Sequence, residues 1–271
     1  FDIIVVDNNS QDGSAAKLRS EHPRIILLEA SENLGFAGGN NLAIDFAVHN
    51  GYEYVLLLNN DTIVEPDFLK HLVCYMDKHP EAGAIQPRIY FNHHRTLLWN
   101  GGSSYTRWTG FTTARRFNKK GNASTEHVRR VDWLTGCCIL TRTSIIKQVG
   151  ALNEKFFMYY EDVDFSFRVK QVGYQLIYLP QSIIFHIAGG SGKSKTKGRE
   201  GYVHPLIYYY SLRNKIWILK KYVRLYEWPS VFMTNFFYYG AVLGYFLLRG
   251  RFVKLKATIN AIFAGVKGRI D

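Results

Sequence analysis

Apolar and polar positions fall into short blocks along the first hundred residues. The runs at 3–6, 25–28 and 54–58 are rich in Ile, Val and Leu, as in strands buried on both faces. Between them, residues 14–19 and 38–48 carry helix patterns, the first after the turn-and-cap run Asp12-Gly13-Ser14. Pro66 opens a further helix predicted to reach Lys78, and residues 84–87 read as another strand. This β-α-β rhythm predicts an α/β fold, with an open, mostly parallel sheet covered by helices.

The second half has a different texture. Residues 92–130 are rich in Gly, Thr, Asn and Arg and predict a long surface excursion or irregular β-hairpins. An apolar pattern returns at 131–141 around Gly136. Residues 143–149 form a short helix closed by Gly150, and 163–172 a longer one closed by Gly173. Residues 175–179 and 183–186 read as two short strands. Residues 189–201 form a flexible basic loop. Beyond Pro205 the chain is aromatic, basic and helical. Within it Trp228–Leu248 is 21 residues long without a charge. Arg213, Lys215, Lys220, Lys221 and Arg224 precede that stretch; Arg249, Arg251, Lys254 and Lys256 follow it. The expected organisation is a domain over 1–203 and a helical, membrane-associating region over 204–271.

Composition narrows the class. With 271 residues and 47% hydrophobic content the chain can bury a sizeable core and is not disordered. Cys74, Cys137 and Cys138 make neither a disulfide framework nor a metal-type spacing, which points to a reducing compartment. The opening residues lack a basic segment, so no secretory leader is expected there. The net charge of +12 is uneven: residues 1–100 carry −6 and residues 101–271 carry +18. The basic half suits a polyanionic partner, namely nucleic acid, anionic lipid or a phosphate-bearing substrate. The recognition motifs of nucleic-acid binders are absent, so nucleic acid is not the expected partner.

Four segments could carry chemistry. Asn59-Asn60-Asp61 follows a buried strand, where ligands bind in α/β sheets; its carboxylate suits a divalent ion carrying phosphates, although Asn-Asp is also ordinary turn chemistry. Asp7-Asn8-Asn9-Ser10 ends another strand and would face the same crevice. The Gly-rich run 33–41 enters a helix and lets backbone approach a nucleotide, yet it is neither the dinucleotide fingerprint nor a Walker loop. Glu161-Asp162-Val163-Asp164 puts three carboxylates at a helix start, one a candidate cap and another a candidate general base. His186 ends an apolar strand beside the glycines at 189 and 190, as a ligand or as a core histidine.

The order DNNSxDG, NxGFAGGNN, NND, WLTGCC, EDVDFSFR and FHxxGGS resembles the inverting glycosyltransferases of family 2. The likeness is greatest to the rhamnosyltransferase-like branch, and it covers residues 1–215. It implies a GT-A nucleotide-diphosphosugar transferase fold. By the resemblance, Asp7 contacts the base or ribose, with Asn9 and Asn60 also among the substrate-binding residues. Asn33, Gly38 and Asn41 shape the donor pocket. Asp61 and His186 hold Mg²⁺ or Mn²⁺ on the donor diphosphate. Trp133 and Gly136 line the acceptor or donor sugar site, Glu161 is a further substrate-binding residue, and Asp162 is the catalytic base. The basic residues of 193–199 would close over the donor.

The implied partners are a nucleoside-diphosphate sugar donor, a lipid-linked or polysaccharide acceptor, and the cytoplasmic side of the cell membrane. Peripheral helices are favoured there over a span. Family members begin with one more strand, and this chain starts at what would be their second. The competing class is a non-catalytic, membrane-associated relative of such a transferase.

Overall fold

The short apolar runs become strands, and the helical patterns pack against them. The computed structural model describes residues 1–121, 127–187, 193–198 (backbone) and 200–270. The strands are β1 (Ile4–Asp7), β2 (Ile26–Glu29), β3 (Tyr54–Leu58), β4 (Thr62–Val64), β5 (Ala82–Phe91), β6 (Leu98–Asn100), β7 (Ser103–Thr106), β8 (Phe111–Ala114), β9 (Arg129–Arg130), β10 (Cys138–Arg142), β11 (Gln175–His186), β12 (Lys193–Gly198) and β13 (Gly201–Val203). The helices are α1 (Ser14–Glu21), α2 (Gly35–His49), α3 (Phe68–Lys78), α4 (Thr143–Val149), α5 (Glu161–Gln171), α6 (Pro205–Tyr222), α7 (Trp228–Leu248) and α8 (Phe252–Lys267).

The main sheet has the order β3-β10-β5-β11-β4, with β6 beside β5 and β9 beside β11. Parallel β1 and β2 form a separate pair, docked on α2. The α/β expectation holds, but "mostly parallel" needs correction at the level of pairing. β3, β5 and β11 share a direction, as helical crossovers require. β10 lies antiparallel between β3 and β5, and β4 lies antiparallel to β11. A buried apolar run looks the same in either direction, so the pattern along the chain does not reveal this. The two short strands expected at 175–179 and 183–186 are one strand, β11, with a register shift between Leu179 and Ile183.

Two apolar layers sandwich the sheet. On one face Ile44, Ala47, Leu134, Ile139, Phe165 and Val169 pack together; on the other α3 contributes Leu72 and Met76 against Ile85, Ile89 and Ile177. A third cluster joins α5 to the C-terminal helices through Phe156, Val163, Phe167, Trp217 and Ile218. The expected excursion is largely the β7–β8 hairpin, whose turn supports α7: Ser230 Oγ donates to the Trp108 carbonyl (2.7 Å) and Asn235 Nδ2 to the Thr109 carbonyl (2.9 Å). The side chains of the basic run 193–199, and residues 188–192, lie outside the described residues.

Candidate active site

The ends of β3 and β11, the start of β4 and the start of α5 carry the candidate residues. Antiparallel pairing sets His186 of β11 opposite Thr62 of β4, which brings Asp61 beside the imidazole. His186 Nε2 lies 3.0 Å from Asp61 Oδ1, and the Ile187 amide donates to the Asp61 carbonyl (2.9 Å). His186 is buried, with the Trp99 ring edge-on at 4.5 Å. Burial lowers its pKa from the usual histidine range against the pull of Asp61, which favours the neutral ring. Its Nδ1 is buried without a hydrogen-bond partner among the described residues.

One carboxylate and one neutral imidazole form a donor set of the kind that holds a divalent ion while leaving positions for phosphate oxygens and water. Among the described residues no cluster of three metal-ligating side chains occurs.

The strand end at Asn59 is tied to the segment 133–137. The Asn59 amide donates to the Cys137 carbonyl (3.0 Å). That segment is held at every step. Trp133 Nε1 donates to the Ser104 carbonyl (3.2 Å), and the Leu134 amide to Ser166 Oγ (3.0 Å). The Thr135 amide donates to Gln86 Oε1 (3.0 Å), and the Gly136 amide to Asp162 Oδ2 (2.9 Å). Neighbouring residues Gly136 and Cys137 thus tie the start of α5 to the end of β3, two residues before Asp61. A Cβ at Gly136 would lie 3.1 Å from the Phe36 ring and 3.6 Å from Asp162 Cβ, so this position favours glycine.

Asp162 is half-buried at the first turn of α5. Burial pushes its carboxyl up to about 6, even though it accepts from the Gly136 and Val163 amides. Glu161 is buried, with one carboxylate oxygen unpartnered; burial, and then the charge of Asp162, hold it well above the ordinary carboxylate range. Both carboxyls are thus less acidic than exposed ones, and Asp162, the less buried of the two, is the better placed proton acceptor. Asp164, the third acid, is instead buried in bonds to Arg168 (2.8 Å), Lys221 (3.1 Å) and the Tyr222 hydroxyl (2.7 Å), which makes it structural.

The loop before α5 is strained. Phe157, Tyr159 and Tyr160 have φ of 65°, 67° and 72°. Such non-glycine conformations cost about 1–3 kcal/mol each and persist where the surroundings enforce them.

The Gly-rich run packs on that loop. The Ala37 amide donates to the Phe157 carbonyl (3.2 Å), and a Cβ at Gly35 would lie 2.5 Å from that same oxygen. Asn33 Oδ1 caps the Gly35 amide (2.9 Å). Gly38 lies against Leu34, where a Cβ would come within 2.7 Å. Asn41 bonds the Leu152 backbone and Glu154 Oε1, so it acts on the pocket by fixing α2. Asp7 is buried at the end of β1, Asn9 has φ 62°, and Asn60 is exposed at the β3 end.

Two residues to which the motifs assign no individual role hold the site together: Asn8, within the run from Asp7 to Ser10, and Gln86. Asn8 accepts from the Leu34 amide (2.9 Å) and donates to the Gly35 carbonyl (2.9 Å), joining the loop after β1 to the Gly-rich run. Gln86 orients segment 133–137 from inside β5; its one signal was a polar residue in an apolar strand.

The chain belongs to glycosyl transferase family 2, whose pattern matches residues 1–150, more than half its length. It is a glycosyltransferase. It is 28% identical over 223 residues to the N-acetylglucosaminyl-diphospho-decaprenol L-rhamnosyltransferase of Mycobacterium tuberculosis, covering 74% of this chain and 70% of that protein. It is 24% identical over 226 residues to the dTDP-rhamnosyl transferase RfbF of Shigella flexneri, covering 81% and 71%. Among solved structures, GalNAc-T7 with UDP, GalNAc and Mn²⁺ superposes with a TM-score of 0.57 at 12% identity, over 84% of this chain and 43% of that one. The fold is thus of the GT-A type.

Proposed function

We propose that the chain transfers a sugar, rhamnose by its likeness, from a nucleoside diphosphate to a hydroxyl of a lipid-linked or polysaccharide acceptor, with inversion. The observation that carries this reading is the half-buried carboxylate of Asp162, raised to about 6 and held by the Gly136 amide, next to Cys137, whose carbonyl accepts from the Asn59 amide two residues before Asp61. Asp162 takes the proton of the acceptor hydroxyl. The freed oxygen attacks the anomeric carbon from the face opposite the nucleoside diphosphate. A new carbon–oxygen bond forms as the bond to the diphosphate breaks, and no covalent enzyme intermediate is needed.

Asp61 and His186 would hold Mg²⁺ or Mn²⁺, and the bound ion supplies positive charge to the departing diphosphate. The names of the relatives support rhamnosyl transfer, one of them to a diphospho-decaprenol-linked acceptor. A peripheral site on the cytoplasmic face of the membrane fits the apolar, basic helices α7 and α8.

Asp162→Asn tests the base. It is expected to retain nucleoside-diphosphate binding and to lose transfer by ~10²–10⁴-fold, the scale of general-base catalysis. In the parent, kcat should fall with unit slope as pH drops through about 6, because the folded carboxyl takes up its proton there. Near-parental transfer by Asp162→Asn would reject the assignment.

A further inference from the structure

The loop that carries Asp162 into the crevice holds itself poorly. The Met158 amide donates to the Phe156 carbonyl (2.8 Å), which closes a γ-turn on Phe157 with φ 65° and ψ −59°. γ-turns of this sign are rare and strained. Tyr159 and Tyr160 follow with positive φ, and Tyr160 is the residue from which α5 starts.

What holds the loop comes from α6, more than fifty residues further along the chain. Asn214 is fully buried. Its amide nitrogen lies 3.0 Å from the Phe156 carbonyl, 2.8 Å from that of Met158 and 2.7 Å from that of Tyr159. Its amide oxygen accepts from Arg213 Nε (2.8 Å), which turns the nitrogen towards the loop. Arg213 Nη2 also donates to the carbonyls of Lys155 (3.0 Å) and Phe156 (2.9 Å). Satisfying buried carbonyls from one rigid helix is what keeps an unfavourable backbone in place.

We propose that Asn214 is a positioning residue for transfer: it locks the strained loop 157–160 and thereby sets where Asp162 points. The inference rests on Asp162 being the base. Asn214 touches no candidate donor residue directly: the Asn8, Asn33 and Gly35 bonds form without it, and the Gly-rich run meets the loop at Phe157 through Gly35 and Ala37. Its loss should therefore affect the chemical step before donor affinity.

The test is Asn214→Ala in the full chain, beside Asp162→Asn. The alanine variant is expected to bind nucleoside diphosphate within ~3-fold of the parent while kcat falls ~10- to 100-fold, as for a displaced reacting group. The acidic limb of its kcat profile should also move to lower pH, because a released Asp162 gains water and returns towards an ordinary carboxylate. Unchanged kcat and limb, or donor affinity lost in step with kcat, would overturn the proposal.

If the alanine variant does not fold, Asn214→Gln keeps the amide but displaces it by one methylene. It should show a smaller fall in kcat with donor affinity kept, and parental kcat and pH limb in that variant would equally overturn the proposal. Should Asp162→Asn itself transfer normally, the base assignment fails. Should Asp162→Asn be inactive while Asn214→Ala matches the parent, only the positioning role fails.

Discussion

Asp61 and His186 meet across two antiparallel strands at 3.0 Å, and their chemistry differs from that of the Glu161–Asp162 pair. Burial favours the neutral form of the imidazole, and the carboxylate beside it is partly open to solvent. Such a pair binds a cation that carries diphosphate better than it binds a nucleoside. Asp61→Asn and His186→Gln should each weaken divalent-dependent binding of nucleoside diphosphate by roughly 10–100-fold, the scale of lost metal-site partners. Nucleoside monophosphate, measured by calorimetry without metal, should bind as before. Equal loss for the monophosphate would place these residues in structure or base recognition instead. The two residues were legible because each ends an apolar run that must be a strand. The roles of Asn214 and Asn8 were not, because the backbone groups they hold lie 25 or more residues away in sequence.

At the scale of elements, α6 carries Asn214 and, one residue on, a lysine that no carboxylate among the described residues neutralises. Lys215 is buried without a hydrogen-bond partner, its ammonium 3.3 Å from the centre of the Phe111 ring and 4.2 Å from that of Tyr238. The rings offset part of the cost of burying the charge. Burial still pushes the amine down to about 7, against ~10.4 in an unfolded chain. Between those values the unfolded chain binds more protons, so this group makes stability rise with pH; its cost is complete below pH 7. Lys215→Met should therefore raise the melting temperature at pH 7, by the equivalent of ~1–3 kcal/mol for an apolar replacement of similar volume. The gain should shrink as pH approaches 10, and a variant less stable than the parent at pH 7 would contradict this account. The helical tail containing Lys215 was legible from its apolar, aromatic composition. Its role in bracing α5 was not, since a helical pattern shows which face is apolar but not what that face meets. The same limit hid the direction of β10, because a strand buried on both faces has no polar side to orient it.

For the whole molecule, the question is how the apolar tail relates to a membrane. Leu225–Leu248 is the one described helix long and apolar enough to cross a bilayer. Yet one side of α7 is bonded to the rest of the enzyme along its length. Ser230 and Asn235 donate to the β7–β8 turn, the Tyr239 hydroxyl donates to the Leu212 carbonyl (2.8 Å), and Phe246 packs edge-on to Tyr208. Insertion would break these bonds and strand Asn235 in hydrocarbon. The opposite side presents Phe232, Met233, Phe236 and Phe237, each more than half exposed, and α8 adds Phe263 and Val266. Residues 201–271 carry a net charge of +9, which an anionic surface attracts by about 1 kcal/mol per nearby cation. An enzyme lying on that surface, with α7 parallel to it, is the arrangement these contacts favour. In flotation assays the full chain should therefore bind vesicles containing phosphatidylserine and leave them at high salt, and it should bind neutral vesicles weakly. Changing Phe232, Phe236 and Phe237 to Ser should abolish binding while preserving transfer to a soluble acceptor analogue. Retention through carbonate extraction would instead mean that α7 inserts, with its bonds to the β7–β8 turn broken on the membrane.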